Sequence, residues 1–437
     1  MTAGVGAARG QIRPSPGAVG RRGLATAACA AVYCCSIVAL VLGPWGHGWG
    51  FGDLHVYRYG GQAVLGHADL YALRFPGALA FTYPPLSAVL FTVLTAARMA
   101  VVAPLVTAAS LVLTPAMFVL ALRLAPGFSG ISRPQGLRLA LLASALAIWL
   151  EPLWTTLRYG QINVLVATLI LFDLSRPDRS RWKGVAIGLA IGLKLTPAIF
   201  AVYLLLTRRY RAAATALGVF GATVAAGFVA VPGDSRSFWG GAFLDPSRVG
   251  RIENTANQSL RGAYARVLHS FGVGPVWLAT AAAVGAIGLA LAAAAGRRGE
   301  DARGFSLCAI TGLLISPVSW SHHWVIAIPA LFVFAVDAYL RRRAFGIASS
   351  CLIVAIGLSH AIWWVPVNRP AHSELHLDLA QLVCSTAYVI VGLAVLAGAA
   401  RAAFRRDEIR LRRRAKKPAI DGWPLTTKGP AGPFART

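Results

Sequence analysis

The sequence predicts an all-α polytopic membrane protein, a helical bundle of about ten to twelve transmembrane helices. Three observations carry that expectation. Hydrophobic types make up 57% of the 437 residues and charged types only 13%, against roughly a quarter in a soluble protein. Mean hydropathy is +0.62. Apolar runs of about 20 residues, the length that spans a bilayer, recur along the chain. An ordinary soluble enzyme and a disordered scaffold are excluded. The 42 basic against 16 acidic residues give a net charge of +26, which on a soluble chain would suggest nucleic acid. Here Lys and Arg gather in short stretches beside apolar runs, as cytoplasmic loops do. No nucleic-acid partner is expected, and the basic tail is expected to meet anionic lipid.

A basic cytoplasmic segment, 1–23, holds Arg9, Arg13, Arg21 and Arg22. Leu24–Leu42 follows as a first span. It is long for a signal peptide, and Gly43-Pro44-Trp45-Gly46-His47 is not a small-x-small cleavage site. The loop 43–83 is then outside. Pro84–Ala97, about 14 residues long, reads as a re-entrant or interfacial helix. Spans follow near 100–122, 137–153 and 162–175. Arg176, Arg179, Arg181 and Lys183 mark an inside loop. Gly184–Leu206 has basic flanks at both ends and is interrupted by Lys194-Leu195-Thr196-Pro197, so it reads as a broken hairpin returning to the inside. A span near 212–231 leads to the large outside loop 232–275. Spans near 276–295, 305–316, 324–340, 344–365 and 378–400 complete one membrane domain, 24–400, with both termini cytoplasmic. The tail 401–437 is basic, and its Pro-bearing end, 420–437, reads as disordered. No repeat of 20–50 residues is visible. The six cysteines lie in apolar runs without metal or disulfide spacing.

Polar clusters at the ends of spans need a reason, and these fall on the outside face. They are Gly52-Asp53-Leu54-His55, Phe81-Thr82-Tyr83-Pro84-Pro85, Arg158-Tyr159-Gly160-Gln161-Ile162-Asn163, Asn257-Gln258-Ser259-Leu260-Arg261-Gly262 and Ser316–Trp324. Amides, aromatics, His and Arg hold sugar hydroxyls and phosphates, so their convergence suggests one site. Plainer alternatives stand beside each. Asp53 could be a solvated loop carboxylate, and Gln161 and Asn163 interhelical hydrogen bonders. His322 and His323 could be interfacial residues, and Lys194 could snorkel. Adjacent histidines on a helix point about 100° apart, which argues against a shared metal. There is no Walker A loop, no G-x-G-x-x-G opening a helix and no H-E-x-x-H. Asp53-Leu54-His55 is not an Asp-x-Asp pair, so a metal-held sugar nucleotide is not supported. An activated substrate would then arrive through the lipid.

In these stretches the chain resembles the membrane glycosyltransferases of the GT-C superfamily. It is similar, within them, to the actinobacterial polyprenyl-phosphate-mannose-dependent α-(1→2)-mannosyltransferases that extend phosphatidylinositol mannosides and lipomannan. The matching segments are Gly52–Tyr57, Phe81–Leu86, Tyr159–Leu165, Lys194–Pro197, Asn257–Gly262 and Ser319–Trp324, in family order. The resemblance implies a GT-C-like bundle with its active site in extracytoplasmic loops. It implies transfer of mannose with inversion, Asp53 being the base that takes the proton of the acceptor's 2-hydroxyl. His322 and His323, with Lys194 and Arg261 behind them, would meet the donor phosphate. His55, Tyr83, Gln161, Asn163, Asn257, Gln258 and Trp320 would contact sugar or acceptor. The lipid-linked donor is a substrate; no cofactor and no metal are expected. Two other functions stay open: transfer of arabinofuranose from a polyprenyl-phosphate donor, and a lipid-linked sugar transporter without chemistry, for which the broken helix at Lys194 would fit.

Overall fold

Lipid offers a backbone no hydrogen bonds, so a chain this apolar must close its peptide groups into helices. The computed structural model describes residues 16–75, 79–128 and 130–415, and among them no named strand forms. The first helix is α1 (Pro16–Leu42), and the first loop carries α2 (Gly52–Leu65) and the short α3 (Pro85–Phe91). Then come α4 (Met99–Arg123), α5 (Arg133–Ala147), α6 (Glu151–Tyr159), α7 (Asn163–Leu174), α8 (Val185–Leu193), α9 (Ala198–Leu206) and α10 (Tyr210–Ala230). The large loop holds α11 (Pro232–Trp239) and α12 (Leu260–Val267). The rest is α13 (Gly274–Arg297), α14 (Asp301–Ile315), α15 (Ile328–Leu340), α16 (Ala344–Ser359), α17 (Leu379–Ser385) and α18 (Ala387–Ala415), with a 3-10 segment, Ser321–Ala327, leading into α15. The chain divides into two compact units at Leu396 and Ala397, and the first holds the bundle and its loops. The expected disordered end, 420–437, lies outside the described residues, as do Arg9 and Arg13.

Among the described residues seven stretches are long and apolar enough to cross a membrane, and eight if α5 and α6, bent by 76°, count as one. The other crossings expected from the sequence, 162–175 and 305–316, are shorter helices, α7 with 12 residues and α14 with 15, and the expected broken hairpin is α8 and α9, with 9 each. Most of the side chains of α7, α8 and α14 are buried against protein. Such helices do not need to match the bilayer thickness, because protein rather than lipid surrounds them. Pro84–Ala97 is a short helix and a 3-10 turn, as its length required.

The breaks are compensated locally. Pro115 inside α4 cannot donate to the carbonyl of Leu111, and the Tyr33 hydroxyl donates to that carbonyl instead, at 2.8 Å. The N-terminus of α8 is closed by Asp173, whose carboxylate accepts from the N–H groups of Gly184, Ala186 and Ile187 at 2.7, 2.8 and 3.2 Å. Gly184, Gly188 and Gly192 repeat at four-residue spacing and face α10. A Cβ on Gly188 would stand 2.5 Å from the Ala216 carbonyl, and one on Gly192 2.4 Å from Thr223 Oγ1. This small-residue seam draws α8 tight against α10 and fixes the level at which the chain breaks open at Lys194.

Two apolar clusters hold the polar loop ends in place. One, of Tyr57, Tyr71, Phe81, Tyr83, Phe91 and Phe238, joins α2 to α3 and α11. The other, of Phe118, Leu153, Trp154, Val164 and Val325, joins α4 to α6, α7 and the 3-10 segment. The loops share one end of the bundle: Asp234 accepts from the Leu70 N–H at 2.9 Å, and Arg248 donates to the Tyr71 carbonyl.

Candidate active site

Asp53 sits in the first turn of α2 and is partly buried. Residues four apart share a helix face, so Tyr57 stands directly beside it. His55, two residues on, is turned about 200° away; it stacks on Tyr59 at 6.0 Å, and Tyr59 stacks on Phe75 at 5.5 Å. The C-terminal end of α6 closes on the same turn of α2. Its last residue is followed by Gly160 at φ 66°, where a Cβ would come within 2.7 Å of Leu54 Cβ. Only glycine fits that approach, and it delivers Gln161 to Asp53.

Gln161 is the hub. Its Oε1 accepts from the Tyr57 hydroxyl at 2.6 Å and the Tyr83 hydroxyl at 3.2 Å, and the two hydroxyls are 2.8 Å apart. With Oε1 so occupied, its Nε2 is the donor toward His322 Nε2, 3.3 Å away. That arrangement makes His322 Nε2 an acceptor and leaves the ring proton on Nδ1. Asn163, opening α7, donates to the His322 carbonyl at 3.1 Å, and Thr156 donates to the same oxygen at 3.2 Å. Asn163 Oδ1 in turn accepts from Lys194 Nζ at 2.8 Å. Lys194 Nζ also lies 3.1 Å from His323 Nε2 and 5.4 Å from the centroid of the Tyr83 ring. The two imidazoles meet edge to face at 4.8 Å, with Tyr159 at 5.6 Å from His322.

Asp53, Tyr83, Gln161, Asn163, Lys194, His322 and His323, seven positions expected from sequence, therefore converge. Burial pushes the Asp53 carboxyl above the ordinary carboxylate range, and the Gln161 amide and the Lys194 charge pull it part of the way back. The result is a carboxylate facing a fixed cation across neutral amides, with two neighbouring tyrosine hydroxyls. Such a set can take a proton on one side and stabilise an anion on the other.

Five expected positions stand elsewhere. His55 is on the opposite face of α2. Asn257 and Gln258 are fully buried, and both ends of each amide are committed to backbone. Gln258 Nε2 donates to the carbonyls of Thr255 and Ser385, and its Oε1 accepts from the Tyr388 N–H. Asn257 Nδ2 donates to the Ile252 carbonyl, and its Oδ1 accepts from the Ser319 N–H. They clamp the strand-like bridge Asn257–Trp320 that precedes the histidines. The Trp320 ring closes on Gly250, where a Cβ would stand 2.8 Å away. Arg261 lies over the Trp277 ring at 5.3 Å. Tyr57, Thr156 and Glu151 were not anticipated. For Tyr57 the signal was its four-residue spacing from Asp53. For Glu151 it was a lone acid closing the apolar run Ala145–Leu150. Among the described residues no three His, Cys, Asp or Glu side chains stand close enough to hold one metal ion.

The fold and this site define a multi-helix membrane protein with one carboxylate–cation centre at its loop-bearing end. Residues 81–317 match the model of glycosyltransferase family 87, and the chain belongs to that family. It is 36% identical over 379 residues to a polyprenol-phosphate-mannose-dependent alpha-(1-2)-phosphatidylinositol pentamannoside mannosyltransferase of Mycobacterium tuberculosis, covering 84% of this chain and 85% of that one. A polyprenol-phosphate-mannose-dependent alpha-(1-2)-phosphatidylinositol mannoside mannosyltransferase of Mycolicibacterium smegmatis is 36% identical over 373 residues, covering 79% and 82%. The crystal structure of ArnT from Cupriavidus metallidurans bound to undecaprenyl phosphate superposes with a TM-score of 0.42 and 19% identity, over 89% of this chain and 73% of that one.

Proposed function

We propose that this enzyme moves mannose from polyprenyl-phosphate mannose to the 2-hydroxyl of a mannosyl residue on a phosphatidylinositol mannoside or lipomannan, at the extracytoplasmic face. Asp53 accepts the hydroxyl proton as the oxygen attacks C1. The C1–O bond to the donor phosphate breaks as the new C1–O2 bond forms. The polyprenyl phosphate leaves carrying the electron pair, so one displacement inverts a β-linked donor to an α-linked product. Lys194 and His323 meet the departing phosphate, with His322 beside them. Tyr57, Tyr83, Gln161 and Asn163 offer donors and acceptors to the sugar hydroxyls. No cofactor or metal is required beyond the donor itself.

The observation that carries this reading is the link from Asp53 through Gln161, His322 and Asn163 to Lys194: a carboxylate and an ammonium held in one network. The names of the relatives at 34–36% identity support the donor, the linkage and the acceptor class. Loops joined to one another at one end of the bundle support the sidedness. The test uses membranes carrying the chain, radiolabelled polyprenyl-phosphate mannose and a phosphatidylinositol mannoside, with and without a chelator. Label should reach the acceptor in an α-(1→2) linkage in both conditions. A β-linked product, or transfer only with added metal, would contradict the mechanism.

A further inference from the structure

Arg261 and Trp277 form a second polar site, separate from the Asp53 network. Arg261 stands near the start of α12 with its guanidinium over the indole, 5.3 Å from the ring centroid. Trp277 is in the first turn of α13, a helix able to span the membrane, with Val276 and Leu278 exposed beside it. The pair thus lies at a membrane boundary, where tryptophan is favoured. Arg261 belongs to the loop 232–275 that binds the first loop, so the pair shares the end of the bundle that carries Asp53. Three of its N–H donors, Arg261 Nε and Nη1 and Trp277 Nε1, are shut off from solvent and meet no acceptor in the protein. Buried donors are nearly always paired. Arg266, five residues on, shows the ordinary solution: its two terminal nitrogens reach the carbonyls of Glu253, Asn254, Asn257 and Ser385, leaving only its Nε without one. Arg261 has no such carbonyls, and among the described residues no carboxylate pairs with it.

Two unpaired guanidinium donors, Nε and Nη1, with an indole N–H nearby, offer charge-assisted hydrogen bonds suited to an anion with several oxygens. Under the proposed function, on which this inference rests, the donor phosphate must lie at C1, between Asp53 and Lys194. The other phosphate in the reaction belongs to the acceptor, in the phosphodiester of its phosphatidylinositol anchor, and it sits at the membrane boundary. We propose that Arg261 and Trp277 bind that phosphodiester and so select acceptors anchored in the membrane.

The full-length enzyme would be compared with Arg261→Gln and with Trp277→Phe, which keeps the ring and removes its N–H. Two acceptors would carry the same mannose chain, one on phosphatidylinositol and one on a phosphate-free alkyl anchor. Each variant should raise KM for the phosphatidylinositol acceptor about tenfold relative to the alkyl one, the scale of one hydrogen bond to a charged group. The wild-type preference between acceptors would then collapse, with donor KM unmoved. A rise in donor KM instead would place the donor phosphate at Arg261 and overturn the proposal, as would equal loss toward both acceptors. Diacyl phosphatidylinositol should compete with the acceptor in wild type and about tenfold less well in Arg261→Gln. Equal competition by inorganic phosphate would make this a free-phosphate site and overturn the lipid assignment. Retention of phosphatidylinositol measured by native mass spectrometry needs no turnover. Binding lost in Arg261→Gln supports the site even if mannose transfer fails altogether. Binding indifferent to Arg261→Gln overturns it even if transfer succeeds.

Discussion

Asp53 and Glu151 are two carboxylates on neighbouring helices, and their surroundings differ in one decisive respect. Glu151 is wholly buried and saturated. Its Oε1 accepts from Thr155 at 2.7 Å, Ser321 at 2.7 Å and Trp363 Nε1 at 3.0 Å, and its Oε2 from Tyr388 at 2.9 Å. Those donors come from α6, the 3-10 segment, the turn after α16 and α18, so one side chain joins four parts of the first unit, Ser321 before His322 among them. Asp53 is partly exposed, has Gln161 and the Lys194 charge for company, and keeps acceptor capacity for something else. A carboxylate whose lone pairs are all taken by the protein holds structure. One left short of donors beside a cation is available to a substrate.

The largest effect that could break this contrast is on turnover. Asp53→Asn should lower the rate of mannose transfer by about a thousandfold or more. It should not destabilise the fold, because it removes a carboxylate that burial disfavours. Glu151→Leu should do the reverse to the fold, leaving four buried donors without a partner and lowering stability by about 3–5 kcal/mol in a chemical or thermal melt. Glu151→Gln retains the oxygen that takes three of them and should recover most of that loss.

A middle-sized effect sharpens the cation side of the comparison. Lys194→Gln keeps a hydrogen bond to Asn163 but removes the charge, and should cut kcat/KM for the lipid-linked donor by about ten- to a hundredfold. The effect should fall on the donor titration and not on that of the acceptor. The smallest effect is in pH. The base works deprotonated, and burial raises its carboxyl, so activity should fall as pH drops through a window above the ordinary carboxylate value of about 4. Between the ordinary and the raised value, Asp53 is protonated in the folded enzyme and cannot accept a proton. The folded state binds that proton more tightly than the unfolded chain, so stability should rise as pH falls through the same window. An acid limb at the ordinary value would place the base in water.

Depth was legible in the sequence; partnership was not. Runs of about 20 apolar residues marked α1, α4, α10 and α13 because hydrophobic length is a local property. The short α7 and α14 read as crossings, because nothing local reveals that protein rather than lipid surrounds them. Lys194-Leu195-Thr196-Pro197 announced its break, since proline and a charge in an apolar run leave few alternatives. Within the site, the stretches holding Asp53, Lys194 and the histidines stood out by residue type and position, and the resemblance supplied the roles expected of them. Asn257 and Gln258 were expected to face sugar because amides commonly do. Their partners, Ser319, Ser385 and Tyr388, are more than sixty residues away in sequence, and no local pattern carries that information. Tyr57 was missed although the spacing on α2 implied it.

The most direct test of the contrast measures transfer rate and thermal midpoint together for wild type, Asp53→Asn, Glu151→Leu and Glu151→Gln in the same detergent. Asp53→Asn should lose transfer by about a thousandfold or more with its Tm unchanged or raised. Glu151→Leu should lose Tm, and Glu151→Gln should regain most of it. Wild-type transfer by Asp53→Asn, or a fall in its Tm matching that of Glu151→Leu, would contradict the division of these two carboxylates into chemistry and structure.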